Sequence, residues 1–180
     1  ATGIKNLEAG IGGISTLKGQ AQVKADMSAE SVSGNASAYS GTNLDDSGLS
    51  DVFNMTGNGS FITGLDNIEL AGKSDGNILG TASGAFTTSA ESVTGNATAN
   101  AAQTLRGINT LNLDLGGQGT INAIVNDTNF VEAHSVSGNA TAVASVDAIG
   151  LDGGTIHIAG NASIMANVGV DSRAEANTIS

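Results

Sequence analysis

Cysteine, proline and tryptophan are absent from this sequence, and aromatic residues make up only 3% of it. The chain therefore has no disulfide framework, and a conventional globular core built from large side chains is not expected. Six basic residues stand against 17 acidic ones, which gives a formal net charge of -11. Because this charge repels phosphate and the cations form no cluster, nucleic-acid binding is not expected. No apolar run is long enough to cross a bilayer, so membrane insertion is not expected either.

Small residues dominate what remains, with 26 glycines among many alanines, serines, threonines and asparagines. The stretch 135–144 reads Ser-Val-Ser-Gly-Asn-Ala-Thr-Ala-Val-Ala, and near copies lie at 92–101 and 31–40. Every second residue of this stretch lies on the same side, and one side holds Val136, Gly138 and the alanines. This alternation is typical of a half-buried strand. Because such a face buries little apolar area per residue, it is stable only where another sheet approaches closely and many copies stack.

Two landmarks recur at matching spacings and indicate an internal duplication. A glycine followed by Ile or Leu opens four segments, with separations of 61, 43 and 43 residues: Gly3, Gly64, Gly107 and Gly150. The Ser-Val pair of the recurring stretch follows each of the first three openings at one constant distance, starting at Ser31, Ser92 and Ser135. We therefore treat 1–180 as a single array. Its repeats are 3–63, 64–106, 107–149 and an incomplete 150–180.

Each 43-residue repeat is itself double, because segments similar to Gly-Asn-Ala-Thr recur about every 21 residues. A unit of this length, with short strands separated by Gly, Asn or Asp turns, is typical of one coil of a β-solenoid. The sequence thus predicts an all-β fold, a β-solenoid (β-helix) of about eight coils of ~21 residues paired into ~43-residue repeats. The 18 extra residues of the first repeat are expected to form an additional coil.

Stacked coils bring equivalent residues into columns. One predicted column is apolar and should form a core ladder: Val32, Met55, Val93, Leu115, Val136 and Ile158. A second column is built from amide side chains: Asn35, Asn58, Asn96, Asn139 and Asn161. Stacked amides of this kind hydrogen-bond along the column.

The ends of the array are expected to be open, because no cap is recognisable at either end and the last repeat stops before its next Gly-Asn-Ala-Thr strand. An open strand edge is a row of unpaired backbone donors and acceptors, which invites pairing with another copy. The strand around 178–180 is expected to meet the face at 3–14 of the next copy. The residues predicted to mediate self-assembly lie at both ends of the chain: Gly3, Ile4, Leu7, Ile11, Thr178, Ile179 and Ser180.

Candidate catalytic and metal-binding residues are few. His134 and His157 are the only histidines, and neither has a second ligand or a nucleophile at a suitable spacing. We therefore predict no catalytic residue, no bound cofactor and no enzymatic activity. Calcium is the one ion considered, at the acidic turn with Asp45, Asp46 and Asp51, although a solvated turn explains these carboxylates more simply.

The Gly-Asn-Ala-Thr coils, the low aromatic content and the acidity resemble those of bacterial secreted β-strand-repeat proteins, the class of adhesin stalks, matrix fibres and functional-amyloid-like filaments. The resemblance implies a structural protein at the cell surface or in a biofilm matrix. We expect a subunit of an extracellular filament or fibre, a head-to-tail homopolymer, with extracellular polysaccharide as a further candidate partner. The alternative is a binding module, either a glycan-binding adhesin segment or an ice-binding solenoid.

Overall fold

The computed structural model of this chain describes residues 1–13, 15–41, 54–56 and 60–179. These residues contain ten β-strands. In chain order they are β1 (Thr2–Ile11), β2 (Ser15–Ser33), β3 (Ala36–Gly41), β4 (Asn54–Thr56), β5 (Ser60–Gly72), β6 (Gly76–Thr94), β7 (Ala97–Leu115), β8 (Gly119–Ser137), β9 (Ala140–Ile158) and β10 (Ala162–Thr178). These ranges contain no helix, which confirms the all-β prediction. In particular, they hold no long apolar helix of the kind that spans a bilayer.

The strands form two sheets in which every described pairing is parallel. Sheet I contains β1, β3, β4, β5, β7 and β9, and sheet II contains β2, β6, β8 and β10. Side chains from both sheets meet in shared clusters, which places the sheets face to face. Stacked parallel sheets of this kind are compatible with a β-solenoid.

Neighbouring strands pair in the register of the long sequence repeat. In sheet II, Leu17 of β2 lies opposite Ile78 of β6, and Ile78 lies opposite Ile121 of β8. These offsets equal the separations between the glycines that open the first three repeats. Outside the insertion, where β3 and β4 pair residues 17 positions apart, none of the described ladders joins residues about 21 positions apart. A 21-residue unit therefore contributes one strand rather than a closed coil, and two such units pass before the chain returns to the same sheet.

The 18 extra residues, 42–59, interrupt one strand position of sheet I. β3 and β5 pair one after the other along β7, with Gly41 at the end of β3 opposite Ala102. The described part of the insertion is β4, which pairs with β3 on the side away from β7. It therefore lies in the same layer as β1, which pairs with β5. The rest of the predicted additional coil, at 42–53 and 57–59, lies outside the described residues.

The core changes in composition along the strands. Near the turns from sheet I to sheet II it consists of large aliphatic side chains, including the fully buried Leu65, Ile108 and Leu111. Near the turns from sheet II to sheet I it is almost entirely alanine, with Ala97 and Ala99 fully buried. The small inner face predicted for the Gly-Asn-Ala-Thr strands is therefore present, and the facing sheet approaches closely enough to bury it.

The glycines that open the repeats lie where the two sheets come closest. A Cβ added at Gly64 would lie 2.3 Å from the amide nitrogen of Thr81 and 2.6 Å from the carbonyl oxygen of Gly107. A Cβ at Gly80, on the facing strand, would lie 2.3 Å from the same carbonyl. Because these neighbours are backbone atoms, they cannot move aside by changing rotamer. The recurring glycine is thus required by sheet-to-sheet contact and not by a turn.

One column of sheet I has a left-handed backbone in successive strands. Asn6 and Asn67 have φ of 54°, Thr110 has φ of 57°, and Gly153 has φ of 75°. The amide of Asn67 donates from Nδ2 to Asn6 Oδ1 at 3.0 Å. Asn and Gly adopt this conformation readily, whereas a β-branched threonine is strained in it. Thr110 is therefore the residue of the column that least suits its backbone.

Thr110→Asn is expected to raise the free energy of unfolding by about 1 kcal/mol, because it relieves this strain and extends the amide column. Urea denaturation of both proteins measures the change. Thr120→Asn is the matched control, since Thr120 lies opposite Asn77 in an ordinary extended strand. A gain at Thr110 no larger than the gain at Thr120 would show that the backbone stores no strain there.

The structure corrects the predicted apolar core ladder, which separates into two columns, one at the carboxyl ends of sheet I strands and one at the carboxyl ends of sheet II strands. Three members near the ends of sheet II strands are 77%, 45% and 39% exposed: Val32, Val93 and Val136. Leu115 and Ile158 lie opposite each other in sheet I, where Leu115 is fully buried and Ile158 half-buried. Met55 lies in β4 opposite Ala38, and its side chain is outside the described part of the structure.

The valines point outward because the strand alternation changes phase at the turn that follows them. In β8, Ala133 and Ser135 are buried at inward positions, which places Val136 on the outer face. Gly138 then turns the chain with φ of 152°, and inward positions resume at Ala140. An alternation counted straight through the turn therefore assigns the valine to the wrong face.

The predicted asparagine column is also divided between the two sets of turns. Asn35, Asn96 and Asn139 occupy successive turns from sheet II to sheet I, where Oδ1 of Asn35 and Oδ1 of Asn96 each accept the backbone N–H of the next asparagine at 3.0 Å. Asn161 lies at the opposite turns, where its carbonyl accepts the N–H of Gly119 at 2.9 Å. Asn58 lies outside the described residues. The division follows from the register, since consecutive 21-residue units belong to different sheets.

Candidate assembly edges

Both sheets end in strands that have a described neighbour on one side only. Sheet II ends in β2 at one side and in β10 at the other. In sheet I, β1 pairs with β5 and β9 pairs with β7, so β1 and β9 occupy the corresponding outer positions. The free side of each strand presents backbone N–H and C=O groups that can form a further parallel ladder.

The apolar inward face of β10 is only half covered. Ile164, Val168 and Val170 are 52%, 47% and 45% exposed. Ile121 and Val125 lie opposite Ile164 and Val168 in β8, and both are fully buried. Because the two strands carry similar side chains at these positions, the exposure arises from the place of β10 at the end of the stack.

The predicted self-assembly residues lie at the two opposite ends of the stack but in different sheets. Four of them are on β1, the outer strand of sheet I: Gly3, Ile4, Leu7 and Ile11. Thr178 ends β10, and Ile179 is 57% exposed while its N–H donates to the carbonyl of Ser135 at 2.9 Å. Ser180 lies outside the described residues. The internal register aligns β1 with β9, so it does not bring Thr178 and Ile179 over β1.

Charged side chains lie on the outer faces of both end strands of sheet II. β2 carries Lys24 and Asp26, whose side chains are 74% and 64% exposed and whose charged atoms are 3.9 Å apart. β10 carries an exposed Asp171 and, two residues later, Arg173, which forms an ion pair with Glu175. The sign of the charge thus alternates along each edge, and in opposite order on the two strands.

Sheet I pairs unlike charges across its ladder. Lys5 Nζ on β1 lies 3.2 Å from Asp66 Oδ2 on β5. Asp66 Oδ1 accepts a hydrogen bond from Asn109 Nδ2 on β7 at 2.7 Å. The next residue of the same column is Asp152 on β9, whose side chain is 44% exposed. The column therefore begins with a cation at one end of the stack and ends with a carboxylate at the other.

Arg106 joins the edge strand β9 to β7. Its Nε donates to Asp152 Oδ2 at 2.9 Å and its Nη2 donates to Asp147 Oδ2 at 2.7 Å, while the side chain is only 11% exposed. Burial alone would lower the pKa of Arg106, but the hydrogen bonds and charges of the two aspartates outweigh it and raise the pKa. The guanidinium therefore stays charged and holds β9 in place.

A shallow groove of about 430 Å³ follows the outer end of sheet II. Its lining includes two glutamates, one histidine and the exposed valines: Glu30, Glu91, His134, Val32, Val93 and Val136. The described ranges contain no group of three or more His, Cys, Asp or Glu side chains that could hold a metal ion. The calcium candidates Asp45, Asp46 and Asp51 lie outside those ranges. His157 is remote from the groove and pairs with Asp114, Nδ1 to Oδ1, at 2.8 Å.

A buried polar cluster lies between the sheets, and no motif of the sequence predicts it. Asp127 and Asn129 are 4% and 1% exposed on the inner face of β8, and Asn129 Nδ2 donates to Gln103 Oε1 at 2.7 Å. Neither carboxylate oxygen of Asp127 has a hydrogen-bond partner among the described protein atoms. Burial raises the pKa of Asp127 to about 6. The available signal is strand alternation, which gives these residues the same inward phase as Ile121 and Val125.

The end strands present open backbone edges, a half-covered apolar face and exposed charges of both signs. Such features suit the addition of strands from another chain. Comparisons with protein-family models, with curated proteins and with solved structures give no match for this chain.

Proposed function

We propose that this protein is a non-enzymatic structural subunit that stacks end to end on copies of itself, forming an extracellular filament or surface fibre. In this proposal the chain is a two-sided β-solenoid in which each 43-residue repeat adds one layer, with one strand in each sheet. The observation that carries the proposal is the half-covered apolar face of β10 beside an unpaired strand edge. A second copy is the proposed partner, because its first strands have the same alternation of side chains as the strands that stack within the chain.

Covering this face is favourable by an amount that matters for association. Ile164, Val168 and Val170 are each about half exposed, so burying the remainder contributes roughly 1 kcal/mol per side chain. A new ladder along the 17 residues of β10 adds backbone hydrogen bonds at roughly 0.5–1.5 kcal/mol each. Together these contributions are comparable with the roughly 4–15 kcal/mol that association costs in lost freedom.

The first layer of the stack, formed by β4, β1 and β2, has strands that match those of the last layer, β9 and β10. β1 begins in line with the middle of β7, since Thr2 lies opposite Thr63 and Thr63 lies opposite Arg106. β4 lies in the same layer and pairs with β3, which continues into the position occupied by β5. Together β4 and β1 therefore present most of a sheet I strand beside β2 of sheet II, which matches the pair β9 and β10.

The proposed extracellular location is supported by composition. An acidic chain without cysteine, with few aromatics and many small polar residues, resembles secreted bacterial repeat proteins. The binding-module alternative has less support. The exposed hydroxyls that would form its binding face are engaged with backbone, since Thr94 and Ser137 donate to the carbonyls of Val32 and Val93 at 3.1 and 3.0 Å. Hydroxyls held in this way present fewer free groups to ice or to a glycan.

The purified 180-residue chain is expected to form filaments above a critical concentration, visible by negative-stain electron microscopy. Fibre diffraction should show a repeat of ~4.8 Å along the filament axis, because the strands stack along it. Ile164→Asp combined with Val168→Asp should raise the critical concentration at least tenfold, because it places charge on the face to be buried.

Met165→Asp is the matched control for these substitutions. Met165 is 51% exposed on the same strand but points to the outer face, so its replacement should have a much smaller effect. Circular dichroism verifies that all variants keep their strands. Dispersed single particles of the unmodified chain at high concentration would contradict the proposed function.

A further inference from the structure

We propose that the end-to-end contact is locked in a single register by complementary charges on the four end strands. The inference rests on the proposed function and names its partner contact: β2 of the next copy adds to β10, and β1 of the next copy adds to β9. The register is the one that already joins the strands inside the chain.

Sheet II supplies two charge pairs. Following the ladder from β2 through β6 and β8 to β10, the column that begins with Lys24 ends with Asp171. The column that begins with Asp26 ends with Arg173. Adding one more layer in the same register places Lys24 of the next copy beside Asp171 and its Asp26 beside Arg173. Directly opposed unlike charges stabilise a strand pair.

Sheet I supplies a third pair. The column that begins with Lys5 continues through Asp66 and Asn109 to Asp152 on β9. In the same register, Lys5 of the next copy lies beside Asp152 and is flanked by carboxylates on both sides. Inside the chain, Lys5 Nζ already reaches Asp66 Oδ2 across one strand spacing at 3.2 Å, so the side chain is long enough for this contact.

Shifted registers are disfavoured by the same charges. A one-residue shift turns the apolar face of the added strand outward. A two-residue shift in one direction sets Lys24 against Arg173 and Asp26 against Glu175. A two-residue shift in the other direction sets Asp26 against Asp171. Only the unshifted register therefore opposes unlike charges at both positions, and it also aligns Leu17 with the column that ends in the half-covered Ile164.

Two charge-reversed variants test the register. The tail variant carries Asp171→Lys and Arg173→Asp, and the head variant carries Lys24→Asp and Asp26→Lys. Each alone should raise the critical concentration for filament formation at least tenfold, because its own head and tail then oppose like charges. An equimolar mixture should assemble near the concentration of the unmodified chain, since the reversed tail fits the reversed head and the two unmodified ends fit each other.

Two controls separate register from general charge effects. Glu69→Lys and Glu91→Lys change exposed outer residues on β5 and β6, which lie one strand inward from the end strands β1 and β2 and take no part in the proposed contact, so they should leave assembly unchanged. In ~1 M salt, where the screening length is roughly 3 Å, the defect of each reversed variant should shrink. Thermal melts of each variant below its critical concentration verify that the monomers are folded.

The remaining outcomes distinguish failure of the proposed function from failure of the charge-locked register. If the unmodified chain forms no filaments, the proposed function fails. If it forms filaments and both reversed variants assemble equally well alone, the proposed function stands and the charge-locked register is wrong. If one reversed variant assembles normally alone and the other does not, the charges reversed in the first take no part in the contact, and the charge-locked head-to-tail register is wrong.

Discussion

Gly64→Ala is expected to destabilise the protein by about 3 kcal/mol or more, because the new methyl group has no space between the two sheets. Its Cβ would lie 2.3 Å from the amide nitrogen of Thr81 and 2.6 Å from the carbonyl oxygen of Gly107. To accommodate it, the sheets must separate locally, which also opens the packing around Leu65. Urea denaturation followed by circular dichroism measures the loss.

Gly10→Ala is the matched control on an equivalent strand of sheet I. A Cβ at Gly10 meets no heavy atom within 4 Å, and Gly10 lies opposite Ala71 in the neighbouring strand. Its replacement should leave the free energy of unfolding within about 0.5 kcal/mol of the unmodified value or raise it slightly. If Gly64→Ala proves too unstable to purify, its yield of folded protein relative to Gly10→Ala gives the same comparison. Equal stability of the two variants would contradict the close approach of the sheets.

Asp127→Asn is expected to stabilise the protein at neutral and alkaline pH by up to about 3 kcal/mol, as the shift in pKa from 3.8 to about 6 implies. Burial favours the protonated form, so the folded chain binds the proton more tightly than the unfolded chain. The stability that Asp127 contributes is therefore fully present below pH 3.8 and is lost as the pH rises through about 6. The neutral asparagine removes this loss.

Denaturation at pH 4 and at pH 8, below the assembly concentration, tests this prediction. The difference between Asp127→Asn and the unmodified chain should be small at the lower pH and largest at the higher one. Asp127→Val should behave in the same way, since Val170 occupies the neighbouring place in the column. Glu69→Gln, at an exposed position, should show no such pH-dependent gain. An equal gain at both pH values would mean that ionisation of Asp127 is not the cause.

The spacing of the recurring glycines matches the offsets of the strand ladders. Gly64 and Gly107 open successive repeats, and the residues that follow them, Leu65 and Ile108, lie opposite each other in sheet I. The spacing of about 21 residues between segments similar to Gly-Asn-Ala-Thr is half of this repeat. Its length is typical of a closed coil, but in the structure it corresponds to one strand. Similar strands on facing sheets need the same alternation and the same turn glycines, so sequence similarity alone does not distinguish the two arrangements.

The sequence predicted which residues lie at the ends of the stack, but not which strands face each other across the proposed contact. Ile4 and Thr178 do lie at opposite ends of the stack. The sequence did not reveal that they belong to different sheets, so the contact predicted from it differs from the head-to-tail contact proposed from the strand register. It also did not single out Lys24 and Asp171, because their proposed pairing depends on a register that only paired strands define.

The sequence by itself determined the all-β class, the parallel stacking of repeats and the small inner face near the glycine turns, because these depend on alternation and spacing along the chain. Only the tertiary structure decided which face each residue occupies after a turn. A left-handed glycine such as Gly138 shifts the alternation, so Val136 is exposed where counting along the chain buries it. Burial of Asp127 and exposure of Ile164 were likewise decided by neighbouring strands, since the same inward position is dry inside the stack and half open at its end.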